Sequence, residues 1–211
     1  MRKTTLIVWF VVFLSFIVSI YFYDQMPKEV ASHWNFRGEV DGYMPRFWGV
    51  FLMPFVLVGL SLLFMVIPVI DPLKENIMKF RGYYDRFIIL FLVFMFSVHL
   101  QIISWNLGVE VSPNAVFPVG CGVLFFYIGV LCENAKRNWF IGIRTPWTLS
   151  SDVVWDRTHK VGGRLFKFSG VVAFFGVFFP DYAFFFIVVP VVLVSVYTVV
   201  YSYFEFQREV G

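Results

Sequence analysis

Long uncharged apolar runs alternate with short polar segments along this chain, and the runs are the length that a membrane-spanning helix needs, about 20 residues. Six of them stand out, at about 5–23, 48–70, 87–107, 115–131, 165–179 and 182–203. Pro118, Gly120 and Gly122 interrupt the fourth, and the fifth is short unless Arg164 and Lys167 snorkel to the headgroups. Pro180-Asp181 makes the last connection tight. The pattern predicts an all-α, polytopic membrane helix bundle of about six transmembrane helices, with an ordered outer loop and a helical inner loop. It has no internal repeat and is treated as one membrane domain.

Composition agrees with the pattern. Of 211 residues, 59% are hydrophobic and 15% charged, and the mean hydropathy is +0.76, outside the range of a soluble domain. The 29 Phe and 10 Tyr suit lipid-facing surface and interfacial anchoring. A formal charge of +3 is too small to point to nucleic acid, and no direct nucleic-acid contact is expected. The basic residues are very unevenly divided between the two sides. One side holds Arg2, Lys3, Lys74, Lys79, Arg81, Arg86, Lys136, Arg137, Arg144, Arg157, Lys160, Arg164, Lys167 and Arg208, and the other only Lys28, Arg37 and Arg46. Basic loops stay in the cytoplasm, so both termini are expected inside a plasma membrane. Met1-Arg2-Lys3 before Thr4–Tyr23 imitates a signal peptide, but the apolar run is too long and lacks a small-residue cleavage site, so it reads as an uncleaved first helix. Cys121 and Cys132 have no metal spacing and read as free thiols.

Two connecting segments are long enough to fold. The outer one, 24–47, contains MPKEVASHWNFRGEVDGYMPRF. Pro27 opens an extended stretch, His33-Trp34-Asn35 follows, and Gly38 and Gly42 supply turn conformations. Trp34 is expected to anchor at the interface. His33 with Glu29, Glu39 and Asp41 is a weak set of metal ligands, and no metal is assigned there.

The inner segment, 132–164, is denser in Trp, Arg and Thr. Gly142 permits close backbone approach, Thr145-Pro146 is extended or turning, and Ser150-Ser151-Asp152 starts a helix. On that helix Trp155, Thr158, His159 and Gly162 share one face. Arg144 with Asn138 and His159 would suit an anion, while the alternative leaves Trp139 and Trp147 as anchors and pairs Arg144 with a helix C-terminus or Glu133. Between spans two and three, Asp71-Pro72 reads as a cap, and Leu73, Ile77 and Phe80 as one side of a short helix on the inner membrane surface.

Catalytic constellations are scarce. HExxH, GxSxG and an intramembrane aspartate pair are missing, and no Asp, Glu, Lys or Arg falls well inside the six runs. His99 is the clear ionisable group within one. Ser97, Gln101 and Ser104 form one stripe of that helix, with His99 and Asn106 opposite, a pattern that suits hydrogen bonding between helices. No cofactor is expected, and no enzyme.

At these residues the chain resembles the SdpI-type bacterial immunity and signalling membrane proteins. The first half, 1–86, is similar to their opening domain of unknown function, DUF1648, through Pro27, His33-Trp34-Asn35, Gly38, Asp41-Gly42 and Asp71-Pro72. The second half, 87–211, follows their signature through Asn138, Gly142-Ile143-Arg144-Thr145-Pro146-Trp147-Thr148, Trp155, Thr158-His159 and Gly162. The resemblance implies a plasma-membrane protein that protects against a peptide toxin met outside and sequesters a cytoplasmic transcriptional repressor at the membrane. On that reading His33, Trp34, Asn35, Gly38, Asp41 and Gly42 face the toxin. Asn138, Gly142, Arg144, Thr145, Pro146, Trp147, Thr148, Trp155, Thr158 and His159 then form the cytoplasmic binding surface. A lipid-headgroup enzyme or transporter using Arg144, His159 and Asn138, and a structural accessory subunit, are the alternatives.

Overall fold

The computed structural model describes residues 3–211; Met1 and Arg2, the latter counted above among the basic residues, lie outside it. Helix α1 (Lys3–Phe22) leads into a two-stranded hairpin, β1 (Glu29–Trp34) and β2 (Val40–Pro45). There follow α2 (Arg46–Ile70), the short α3 (Lys74–Lys79), α4 (Arg81–Asn106) and α5 (Pro113–Asn134). The short α6 (Pro146–Ser150), α7 (Asp152–Phe175) and α8 (Ala183–Val210) complete the chain. Six of these helices are long and apolar enough to cross a membrane. Six crossings place the start of α1, the end of α8 and the connections around α3 and α6 on one face, here the termini face. Thr4 donating to Asp85 at 3.2 Å and Ser151 to Glu209 at 2.6 Å join elements at this face. The β-hairpin lies at the opposite, hairpin face.

The structure corrects three sequence expectations about the elements. The fifth span begins at Asp152, because the helix of the inner segment and the run from Leu165 are one continuous helix, α7. Charged residues on its first turns hid that continuity from hydropathy. The third span likewise begins at Arg81 and takes in Asp85 and Arg86. Helix α3 turns its apolar side into the protein core rather than onto lipid, with Ile77 0% exposed and Phe80, just past its end, 2% exposed.

Helices α1, α2 and α4 pack together around Val8, Leu57, Ile88 and Leu92, and α5, α7 and α8 pack as a second group, with α4 against α5 joining them. The contact of α5 with α7 is the most extensive, and small residues make it so. Gly122 faces Gly170 and Gly129 faces Gly163, so that a Cβ at any of the four would run into the opposite backbone. The glycines that seemed to interrupt the fourth span therefore have packing roles: Gly120 abuts the Phe94 ring and Gly122 the α7 backbone.

In α4, His99 is fully buried, with Nε2 3.2 Å from the Ser19 hydroxyl, which in turn donates to the Val50 carbonyl at 2.9 Å. One polar contact thus ties α4, α1 and α2. The Ser97–Gln101 stripe does not bridge helices: Ser97 donates to Phe94 O of its own helix and Gln101 to Val111 O of the following loop.

Candidate functional site

The termini-face signature folds as a knot of hydrogen bonds around Asn138, which is 0% exposed. Its Nδ2 donates to the carbonyls of Lys136 and Ile141 at 2.9 and 2.8 Å, while Oδ1 accepts from the amides of Phe140 and Ile141 at 2.9 and 2.6 Å. A short loop bent this tightly needs one left-handed residue, and Gly142 supplies it at φ +110°. The same glycine lies against the His159 ring, where a Cβ would collide with Nε2.

His159 and Trp155 form the floor on α7. Their rings stack at 3.9 Å between centroids, and the Trp155 indole N–H donates to Ala135 O at 2.9 Å. His159 Nε2 accepts from the Ile143 amide at 2.9 Å, which makes Nδ1 the protonated nitrogen, 2.9 Å from Trp155 O. Thr158, also 0% exposed, has a hydroxyl without a partner among the described residues. Beneath residues 140–143 lies a cavity of about 260 Å³ between the two helix groups, reached by Phe64, Tyr84 and Leu131.

The second half of the signature starts α6. Thr145 and Thr148 form a reciprocal capping box, with Thr148 N donating to Thr145 Oγ1 at 3.1 Å and Thr145 N to Thr148 Oγ1 at 2.9 Å, and Pro146 occupies the first helical position. Thr145 also lies 3.0 Å from the Ser202 hydroxyl on α8, and Trp147 packs edge-on against Tyr203. Glu205, buried on α8, holds Arg157 and Arg208 at 2.9 Å each.

Arg144 is exposed and donates to Trp139 O at 2.9 Å. Glu133 pairs instead with Lys167. The suggested anion pocket of Arg144, Asn138 and His159 is not assembled, because the polar atoms of Asn138 and His159 are buried and taken by backbone. Trp139, just outside the signature, is 52% exposed and its backbone carbonyl holds Arg144, so the accessible part of the signature is Arg144 with Gly142 and Pro146.

Sequence reasoning missed Asp71 as a connector. It is 2% exposed, accepts from Leu73 N at 2.6 Å, and with its other oxygen accepts from Trp139 N at 2.9 Å. It caps the turn ahead of α3, with Pro72 before the helix rather than at its first position. Asn76 adds a bond to Arg137 O at 2.9 Å. The α2–α3 turn is thereby tied to the signature loop, a long-range pairing that no local pattern announces. Glu205 was missed for a similar reason, since it lies just past the sixth apolar run.

At the hairpin face, Asn35 organises the turn. Its Oδ1 accepts from Arg37 and Glu39 amides at 2.9 and 3.1 Å, and Gly38 adopts φ +83°. Gly42 has ordinary backbone. It is small because it pairs with His33 across the strands, where a Cβ would meet the His33 Cβ. His33 Nδ1 lies 2.5 Å from Asp41, while Glu39 is engaged by Asn35, so these residues form two pairs rather than one cluster; no group of three or more metal-type ligands occurs among the described residues. Trp34 packs inward, edge-on to Trp105. Val30 seats against Gly49, and Asn106 clamps Ala31 through both backbone groups at 2.8 and 3.0 Å. Across the bundle, Asn114 donates to Phe36 O at 3.3 Å and Pro180 O at 2.9 Å, and a cleft of about 410 Å³ opens between the hairpin tip, α5 and α8.

Comparison with known proteins follows the same division. Residues 10–58 match the domain of unknown function DUF1648, and residues 134–202 match the SdpI/YfhL protein family. The immunity protein SdpI of Bacillus subtilis (strain 168) is 25% identical over 207 residues, covering 98% of this chain and 97% of its own length. No solved structure matches. Two family matches in the order expected from the residues, carried on six membrane-length helices with a relative aligned end to end, support the SdpI-type family of multi-pass membrane proteins for this chain.

Proposed function

We propose that the chain is an immunity receptor of the plasma membrane, which protects its cell against a peptide toxin and signals by retaining a cytoplasmic repressor. The hairpin face looks outward and both termini inward, an orientation supported by the excess of Lys and Arg at the termini face. His33, Trp34, Asn35, Gly38, Asp41 and Gly42 build the hairpin that meets the toxin, at the cleft it shares with α5 and α8. The ten signature residues from Asn138 to His159 shape the inner surface, on which Gly142, Arg144 and Pro146 are accessible, with the exposed Trp139 adjoining them.

One observation carries this reading. The two helix groups are bridged at each face, by Asn114 to Phe36 at one and by Asp71 to Trp139 at the other. A toxin wedged in the outer cleft acts on the same group-to-group junction that positions the inner loop. A two-state receptor would signal through a change at that junction between toxin-free and toxin-bound states. The lipid-headgroup enzyme gains no support from the buried, fully bonded His159.

The test expresses the chain in a toxin-sensitive host, challenges the cells with a panel of antimicrobial peptides, and recovers cytoplasmic proteins held at the membrane with and without challenge. Survival together with challenge-dependent retention is the expected result. Equal killing and no retained protein across the panel would remove the proposal's basis.

A further inference from the structure

A separate feature, independent of the immunity reading, lies along one edge of the α5–α7 seam at the termini face. A polar cleft of about 520 Å³ opens between the end of α5 and the first turns of α7, lined by Glu133, Lys136, Asp156, Lys160 and Arg164. Both carboxylates already have a cation of their own. Lys136 reaches Asp156 at 3.5 Å, and Lys167 reaches Glu133 at 2.8 Å. Lys160 and Arg164 are exposed and form no ion pair among the described residues. Four residues apart on one helix, they are like charges on the same face, which is unfavourable unless an anion lies between them. Arg adds a planar donor fork suited to phosphate oxygens.

The edge continues as an apolar groove. Lys160, Arg164, Val171 and Phe175 recur at spacings of four, seven and four, so they follow one line down α7. On α5, which runs the opposite way, Glu133, Phe126 and Gly122 recur at seven and four. Val171, Phe175, Phe126 and Gly122 line a groove of about 400 Å³. From Arg164 to Phe175 the helix rises about 16 Å, close to half the hydrocarbon thickness of a bilayer. A cationic cleft with two unmatched charges therefore stands at the head of a groove as deep as one leaflet.

We propose that this seam holds one anionic phospholipid, with its phosphodiester between Lys160 and Arg164 and an acyl chain in the groove between Phe126 and Val171. Charge complementarity selects the headgroup, and the groove distinguishes a lipid from a free phosphate.

The experiment takes the full chain in detergent and measures retained lipid by native mass spectrometry during titration with phosphatidylglycerol, phosphatidylcholine of the same acyl chains, or inorganic phosphate. The wild type is expected to retain one phosphatidylglycerol, to bind phosphatidylcholine more weakly, and to keep its lipid in the presence of phosphate. Lys160→Gln with Arg164→Gln should weaken phosphatidylglycerol about 30-fold, as the loss of two interfacial charges predicts. Lys74→Gln with Lys79→Gln, which removes the same charge from the same face, should leave it unchanged. Val171→Trp, which fills the groove without altering charge, should also weaken it. Equal losses in the two charge variants would reduce the effect to diffuse attraction and overturn the site. Displacement by inorganic phosphate with Val171→Trp unaffected would make it a free-anion cleft and overturn the lipid. Should Val171→Trp fail to fold, the two charge variants decide.

Discussion

His159 has no free nitrogen: one accepts from Ile143 and the other is held by Trp155 O, beneath a glycine that permits no larger residue. In this arrangement both nitrogens hold the signature loop in shape. His159→Ala is expected to cost about 2–4 kcal/mol, combining a cavity with an orphaned amide, and thermal unfolding in detergent measures it. Full stability of that variant with loss of a turnover activity would contradict the assignment. Gly142→Ala should destabilise by about 2 kcal/mol or more, because it adds left-handed strain to the collision with His159. Thr158 offers the contrast within the same signature. Its buried hydroxyl has no partner among the described residues, so Thr158→Val should be neutral or stabilising, within about 1 kcal/mol.

The α5–α7 pair has its own sensitivity. Gly129→Leu places a side chain against the Gly163 carbonyl and Lys167, and overpacking of this kind costs about 1–3 kcal/mol. The same change at Gly59, where a Cβ meets nothing within 4 Å, should be tolerated, and the two melting temperatures in one detergent make the comparison. Six helices were legible in the sequence because an apolar run of spanning length is a local signal. The helix start at Ser151-Asp152 was legible too, but its continuity with the fifth run was not, since its first turns carry Asp152, Asp156, Arg157 and Lys160 on the outside while Trp155, Thr158 and His159 face inward. The hairpin was legible as order around Asn35 and Gly38, but its strands are only six residues each and depend on docking through Val30 and Asn106. Gly120 and Gly122 looked like interruptions because their partners, Phe94 in α4 and Gly170 in α7, are distant in sequence.

Across the whole molecule, two helix groups meet at α4 and α5, with polar bridges at both faces. The signature residues were legible as a set, yet which were accessible was not, because Asn138 and Trp155 look polar or interfacial in sequence and are consumed internally in the fold. Asp71→Ala removes two charge-assisted bonds from a buried position and should cost about 2–3 kcal/mol while loosening the inner loop. Asp71→Asn, which keeps one acceptor oxygen, should lose less, and protease sensitivity of residues 135–145 separates the two. Outer recognition joined to inner readout is the central claim, and survival under peptide challenge tests it most directly. In a toxin-sensitive host, the wild type is predicted to protect, while Asn35→Ala, which dismantles the hairpin turn, is predicted to insert normally and fail to protect. Equal survival of cells carrying the wild type, Asn35→Ala or no chain at all, over the whole peptide panel, would contradict it.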